Sequence, residues 1–257
     1  MFKYVFVGLV AALAGCGGGG SDNNTGAATA PVSVTPATPP AEGFWQGKTN
    51  NGRTIDAVVL EDGTYWALYS LANNPEVLAG VVQGTGTTTP GSFSSTNGRD
   101  FSLEAESITG ATLSVSYAAK QFFNGSLTNQ ASANTITFTS SYGANYEQPA
   151  SLTALAGTYA GNVATIDGTD SATISIGLTG ALTGVSSAGC RFNGTASVHK
   201  AVNVYDLSIA FQGGTCSNGS ATTSGIAYLE GSVLYAAALD SARNNGFLAT
   251  VSKSSAR

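Results

Sequence analysis

Beyond residue 42 the chain carries no stretch of helical periodicity. What recurs are alternating runs of roughly five to nine residues, rich in β-branched and aromatic side chains and punctuated by Gly, Asn, Asp and Ser, the pattern of half-buried strands. In the first half the runs predict strands near 43–48, 54–60, 64–70, 77–83, 91–95, 111–117, 121–128 and 134–141. In the second half they fall near 157–165, 171–178, 181–187, 190–197, 203–212, 223–229, 232–239 and 246–252. Tyr205, Leu207, Ile209 and Phe211 share one face of a strand whose other face holds Val204, Asp206, Ser208 and Ala210, so one side is buried and one is wet. The Asp62-Gly63 step after Leu60-Glu61 supplies the positive-φ positions of a tight hairpin. Segment 97–108 fits either a helical turn or an edge segment. Short strands at this spacing predict an all-β fold: two small antiparallel up-and-down β-barrels of about eight strands, with sandwiches as the alternative. The modules span 43–145 and 152–257, joined through Tyr146–Ser151, which contains Pro149.

The first 42 residues have a different character. Residues 1–15 carry Lys3, an apolar run from Tyr4 to Ala14 and then small residues, the layout of a signal peptide. A helix of about fourteen residues reaches ~21 Å, short of the ~30 Å hydrocarbon core, so a membrane span is excluded. Leu13-Ala14-Gly15-Cys16 resembles the bacterial lipobox, in which cleavage exposes a cysteine that bears diacylglyceryl and further acyl chains. The resemblance implies a lipid anchor on Cys16, stable because each buried CH₂ contributes ~0.8 kcal/mol. Gly17 stands where an aspartate would signal inner-membrane retention, so an outer-membrane location is expected, on the periplasmic or the surface face. Residues 16–42 then read as a Gly/Pro/Thr-rich linker spanning roughly 28 Å as a random coil.

Composition narrows the class of function. Charged residues are 10%, against ~25% in typical domains, and there are 33 glycines, which sets the chain apart from cytosolic α/β enzymes. With 42% hydrophobic and 9% aromatic residues it is not a disordered chain either. A net charge of -5, with ten scattered Lys and Arg, offers no stripe for phosphates, so no nucleic-acid partner is expected.

Three cysteines leave one unpaired unless Cys16 carries lipid. Cys190 and Cys216 then remain as a pair in an oxidising compartment. The strand pattern puts Cys190 at the start of the fourth strand of the second module and Cys216 between the fifth and sixth, at the same end of adjacent strands. A disulfide there contributes roughly 3.5 kcal/mol in the chain-entropy model. Two free buried thiols are the alternative.

Residues that carry chemistry are sparse. His199 is the sole histidine, which removes most metal sets and acid-base triads, and it reads as a solvated hairpin-loop residue beside Lys200. Glu61/Asp62 fall in a turn and Glu104/Glu106 on a wet face. Asp167 and Asp170 flank a Gly-Thr turn without the further oxygens that calcium requires. Gly84-Thr85-Gly86 opens no helix and so is no phosphate loop. Neither a cofactor, a metal nor an enzymatic reaction is expected.

Each module opens alike, with Gly43-Phe44-Trp45-Gln46-Gly47 and Gly157-Thr158-Tyr159-Ala160-Gly161. A G-x-aromatic-x-G first strand resembles the start of lipocalin, avidin and transferrin-binding-lipoprotein barrels, and together with the lipobox and strand layout the chain resembles proteobacterial surface lipoproteins with tandem barrels. The resemblance implies that the aromatic plugs one barrel end. No residue that binds transferrin, or any other ligand, carries over. Phe123-Asn124-Gly125 also matches Phe192-Asn193-Gly194, and Leu60-Glu61 matches Leu229-Glu230, in reversed order between modules. These matches suggest that the second module is either a circular permutation of the first or an unrelated coincidence of composition.

The second module has enough large apolar side chains to fill its interior, Phe192, Leu207 and Phe247 among them. The first is richer in aromatics. Adjacent pairs Tyr65-Trp66 and Phe122-Phe123 must each put one ring outside the barrel. Trp45, Tyr65, Trp66, Phe122 and Phe123 are therefore candidate interface residues, either between the two modules or toward an outside protein. The leading expectation is a non-enzymatic envelope lipoprotein, a binding or structural module with a protein partner. Alternatives are a lipocalin-like small-ligand carrier, which an empty cavity above ~300 Å³ would favour, and an inhibitor of a secreted hydrolase, which a protruding loop with a charged residue would favour.

Overall fold

Alternation along the chain becomes two closed rings of strands. The computed structural model describes residues 40–254. The predicted signal segment, Cys16 and the linker as far as residue 39 lie outside the described residues. The first ring comprises β1 (Gly43–Thr49), β2 (Thr54–Val59), β3 (Thr64–Leu71), β4 (Asn74–Thr85), the short β5 (Thr87–Thr89), β6 (Ser92–Ser102), β7 (Ser107–Ala118), β8 (Phe122–Asn129) and β9 (Thr135–Gly143). Chain neighbours other than β4 and β5 pair antiparallel, β9 returns to β1, and β4 bonds directly to β6, so every strand but β5 belongs to an eight-stranded barrel. A 3₁₀ turn (Ala144–Glu147) and α1 (Leu152–Leu155) lead into the second barrel. It consists of β10 (Gly157–Thr165), β11 (Gly168–Ile176), β12 (Ala181–Ser186), β13 (Arg191–Val198), β14 (Tyr205–Phe211), β15 (Thr222–Glu230), β16 (Val233–Leu239) and β17 (Gly246–Lys253).

The predicted strands are all present, and the sandwich alternative falls away. Segment 97–108 is neither a helical turn nor an edge: β6 and β7 run through it as a hairpin, with Phe101 opposite Ile108. Cys190 and Cys216 form a disulfide that ties the β12–β13 loop to the β14–β15 loop at one end of the second barrel.

Both first strands work in the same way. Trp45 and Tyr159 are fully buried and reach back four residues, the indole Nε1 donating to Ala41 O at 3.0 Å and the phenol donating to Leu155 O at 2.6 Å. Each ring, with the residue it bonds, closes one end of its barrel. Two positions later a glycine lets the closing strand approach: a Cβ on Gly47 would lie 2.0 Å from Thr139 O, and one on Gly161 would lie 2.5 Å from Thr250 O. Gly47 faces Ser140 on β9 as Gly161 faces Val251 on β17. The two first strands thus share their place in the ring and their closing contacts. The Phe-Asn-Gly matches sit on the seventh strand of one ring and the fourth of the other.

Both barrels belong to one compact unit. Their outer walls meet in a dry core in which Phe44, Val58, Trp66, Leu68, Val81 and Phe101 of the first pack with Val204, Ile226, Tyr228, Ala237, Leu239 and Leu248 of the second. Phe44 lies 5.3 Å from the Tyr146 ring and 5.2 Å from that of Tyr228. Apolar residues on the outer face of a small barrel would otherwise be exposed, so this contact explains why both faces of β3 and β4 are hydrophobic.

Candidate functional site

The two interiors differ. In the second barrel Phe192, Phe211 and Phe247 interlock with centroids 5.6–6.0 Å apart. Gly184 leaves the space the Phe192 ring fills, and the remaining void at the centre is about 10 Å³. In the first barrel the aromatics gather at the plugged end. Trp45 stacks on Phe123 at 5.2 Å, and Phe93 lies 5.4 Å from Phe123 and 6.0 Å from Tyr65. Toward the other end Ala57 and Ala67 stand opposite each other on β2 and β3, and their methyl groups leave a cavity of about 170 Å³. Ile55, Ala57, Ala67, Leu127, Ile136 and Phe138 line it and stay partly exposed although they face inward. The first barrel is thus a cup with an aromatic floor.

Polar groups sit on the cup's wall and rim. The Arg53 guanidinium, from the β1–β2 loop, donates to Ser70 O at 2.8 Å, pairs with Glu104 and lies 5.4 Å over the Tyr69 ring. The Tyr69 hydroxyl donates to Asp100 Oδ1 at 2.7 Å. Burial raises the Asp100 carboxyl above its ordinary pKa, partly offset by the Tyr69 hydrogen bond and the Arg53 charge. Burial, reinforced by Asp100, lifts the Tyr69 phenol well above its own.

A larger cleft, about 350 Å³, opens at the disulfide end of the second barrel and includes Asp167 and Asp170. Asp170 is already committed there, accepting from the Ser171 and Ala188 amides and from Ser187 Oγ, and these bonds hold its carboxyl well below the usual range. Its role is to hold a loop. Among the described residues no group of three or more His, Cys, Asp or Glu is placed to hold a metal ion.

The five aromatic candidates do not form one exposed patch. Trp45, Tyr65 and Phe123 lie inside the first barrel, where they build the cup's floor. Trp66 is 5% exposed and belongs to the core between the barrels, while Phe122 stands outside at 37%. Closure turns one ring of each adjacent pair inward, and docking of the second barrel covers one of the two left outside. The rim residues Arg53 and Asp100 were not singled out from sequence. A bulge between Ser95 and Gly98 shifts the register of β6 by one residue. Phe93 therefore faces in, and beyond the bulge so does Asp100, while Phe101 turns out.

His199 also departs from expectation, because it is not a solvated loop residue. Its side chain is 14% exposed, with Nε2 3.0 Å from Glu61 Oε2 of the first barrel and Nδ1 2.8 Å from Asp206 Oδ1 of the second. Lys200 pairs with the other Glu61 oxygen. Burial alone would lower the imidazole's pKa, but hydrogen bonds to Glu61 and Asp206, and their charges, raise it above its ordinary value. Burial likewise raises Glu61, yet Lys200 and His199 outweigh it and hold the carboxyl at about 2. A raised histidine stabilises the fold fully below its unfolded pKa of ~6.5 and loses that contribution as pH climbs through the folded value. Glu61 contributes above ~4.3 and is lost in stronger acid. The clamp is therefore strongest between these limits. His199→Gln should remove a loss of stability of about 1 kcal/mol or less that sets in as pH rises above the unfolded value of ~6.5, seen as a flatter melting temperature against pH. An unchanged pH profile would rule the clamp out.

No protein-family model matches the chain, and no curated protein matches it.

Proposed function

We propose that the protein is a lipid-anchored envelope protein whose first barrel receives one small, largely apolar ligand, while the second is a filled, disulfide-braced support. The cup carries this reading: six inward apolar side chains stay partly exposed around an open, mostly apolar cavity in one barrel, while the centre of the companion barrel is filled and its cleft at the disulfide end mixes Phe192, Phe211 and Phe247 with Asp167, Asp170 and Asn218. The reading is non-enzymatic and keeps the anchor on Cys16 with an outer-membrane location.

The volume limits the ligand. It is close to the ~150 Å³ of an engineered apolar cavity that takes up benzene and below the ~300 Å³ of drug-sized sites. A molecule of about six to ten non-hydrogen atoms fits, or the end of a longer chain. Burying ~150 Å² of apolar surface at ~25 cal/mol/Å² gives about 4 kcal/mol, hence a Kd near ~1 mM before any polar contact.

Toluene is a suitable probe. Titration should shift the methyl NMR signals of Ala57, Ala67, Ile55 and Ile136, and Ala67→Phe, which fills the cup, should abolish binding without loss of stability. Unmoved signals in the parent protein, or equal binding by the filled variant, would refute the cup. Mass spectrometry of membrane-recovered protein should locate diacylglycerol on Cys16, and an unmodified Cys16 would remove the anchor.

An inhibitor reading has one feature in its favour. The tip of the β3–β4 hairpin, residues 72–77, is exposed throughout, with Pro75, Glu76 and Val77 in an irregular part of the register. The Asn73 amide ties it to Gly52 O at 2.7 Å, close to the barrel, so it projects little. The cup is the better-developed feature.

A further inference from the structure

The cup's polar groups discriminate among ligands by charge. Asp100 lines the cavity and uses one carboxylate oxygen, Oδ1, to accept from Tyr69; the other has no hydrogen-bond partner among the described residues. Arg53, the one cation in the cavity wall, is already engaged by Glu104, Ser70 O and the Tyr69 ring. With Asp100 ionised the rim holds two carboxylates against one guanidinium. A carboxylate ligand would face repulsion from both acids and could reach Arg53 only by displacing Glu104. An ammonium ligand would shed its hydration beside Arg53, and desolvating a charge costs far more than desolvating a hydroxyl. An uncharged hydroxyl meets neither penalty and offers the donor that the second Asp100 oxygen lacks. Below it, Phe123 and Phe138, in contact with ring centroids 6.4 Å apart, and the opposed Ala57 and Ala67 line the apolar part of the cavity, which suits a ring or a short alkyl chain.

We propose that the cup selects small uncharged alcohols or phenols, with Asp100 accepting the ligand's hydroxyl hydrogen and the apolar wall taking the hydrocarbon. This rests on the reading of the first barrel as a ligand cup. It adds a polar anchor and a ligand class.

The probes are p-cresol, its methyl isostere p-xylene, and 4-methylbenzoate, each titrated at pH 7 against the full chain and followed by methyl NMR. In the parent protein p-cresol should bind at least about tenfold more tightly than p-xylene, the effect of one hydrogen bond to a charged acceptor, and 4-methylbenzoate should bind more weakly than either. Asp100→Ala should bring p-cresol down to the affinity of p-xylene. If that variant does not fold, Asp100→Asn serves instead, and should reduce the preference because its acceptor is uncharged. Equal binding of p-cresol and p-xylene by the parent overturns the Asp100 anchor while leaving the cup intact. A preference that survives both substitutions, or 4-methylbenzoate binding as well as p-cresol, also overturns it. If none of the three binds, the cup reading fails and this inference fails with it.

Discussion

Replacing Trp66 with alanine should cost about 3–5 kcal/mol of stability, the usual effect of deleting a large buried aromatic. It should also split the unfolding transition in two. The indole is 5% exposed and lies in the core where the barrels meet, on the outer face of β3 opposite Val58 of β2 and Gln83 of β4. Its loss leaves a hole between two rings that have their own interiors, so the coupling between barrels is weakened more than either barrel. The control is Phe122→Ala, on a ring that is 37% exposed, which should stay within about 0.5 kcal/mol of the parent. Denaturant titrations followed separately by far-UV circular dichroism and tryptophan fluorescence would reveal the split. Equal losses for the two variants would mean the barrels do not depend on this contact.

The second large effect concerns the disulfide. Converting Cys190 and Cys216 together to serine should cost about 3.5 kcal/mol, within the ~2–5 kcal/mol typical for removal of a native bridge. The bridge closes a loop with a sequence separation of 26 and joins the loops flanking β13 and β14. The loss should be local at first. Hydrogen exchange should quicken in residues 187–190 and 212–221 before the opposite end, where Tyr159 and Leu155 plug the barrel, is affected. A variant whose melting temperature matches that of the parent would show that the surrounding hydrogen bonds, such as the Gln212 amide to Arg191 O at 2.9 Å, hold these loops without the bridge.

Much of this architecture is legible along the chain because it depends on neighbours two residues apart. Alternation needs only the pleat of a strand, and turns need only Gly, Asn or Asp at positive φ. The repeated G-x-aromatic-x-G start identifies the plug of each barrel for a similar reason. The aromatic bonds to a carbonyl four residues earlier, and the closing strand demands a glycine two residues later. Strand order also places Cys190 and Cys216 at the same end of adjacent strands, where the disulfide forms.

The functional features depend on contacts that local pattern does not encode. One extra residue in β6 reverses the faces beyond it and turns Asp100 into the cup. Tyr65 and Trp66 are neighbours of similar chemistry, yet ring closure assigns one to an interior and docking of the second barrel assigns the other to an interface. His199 finds Glu61 138 residues earlier in the chain, a pairing that exists only once the barrels are side by side. Alternation and turn chemistry thus specify two barrels and a bridge. Which barrel is filled and which stays open depends on how opposing side chains meet across each closed ring: Phe192 grows into the space left by Gly184, whereas the small side chains of Ala57 and Ala67, side by side on β2 and β3, leave a cavity beside Trp45.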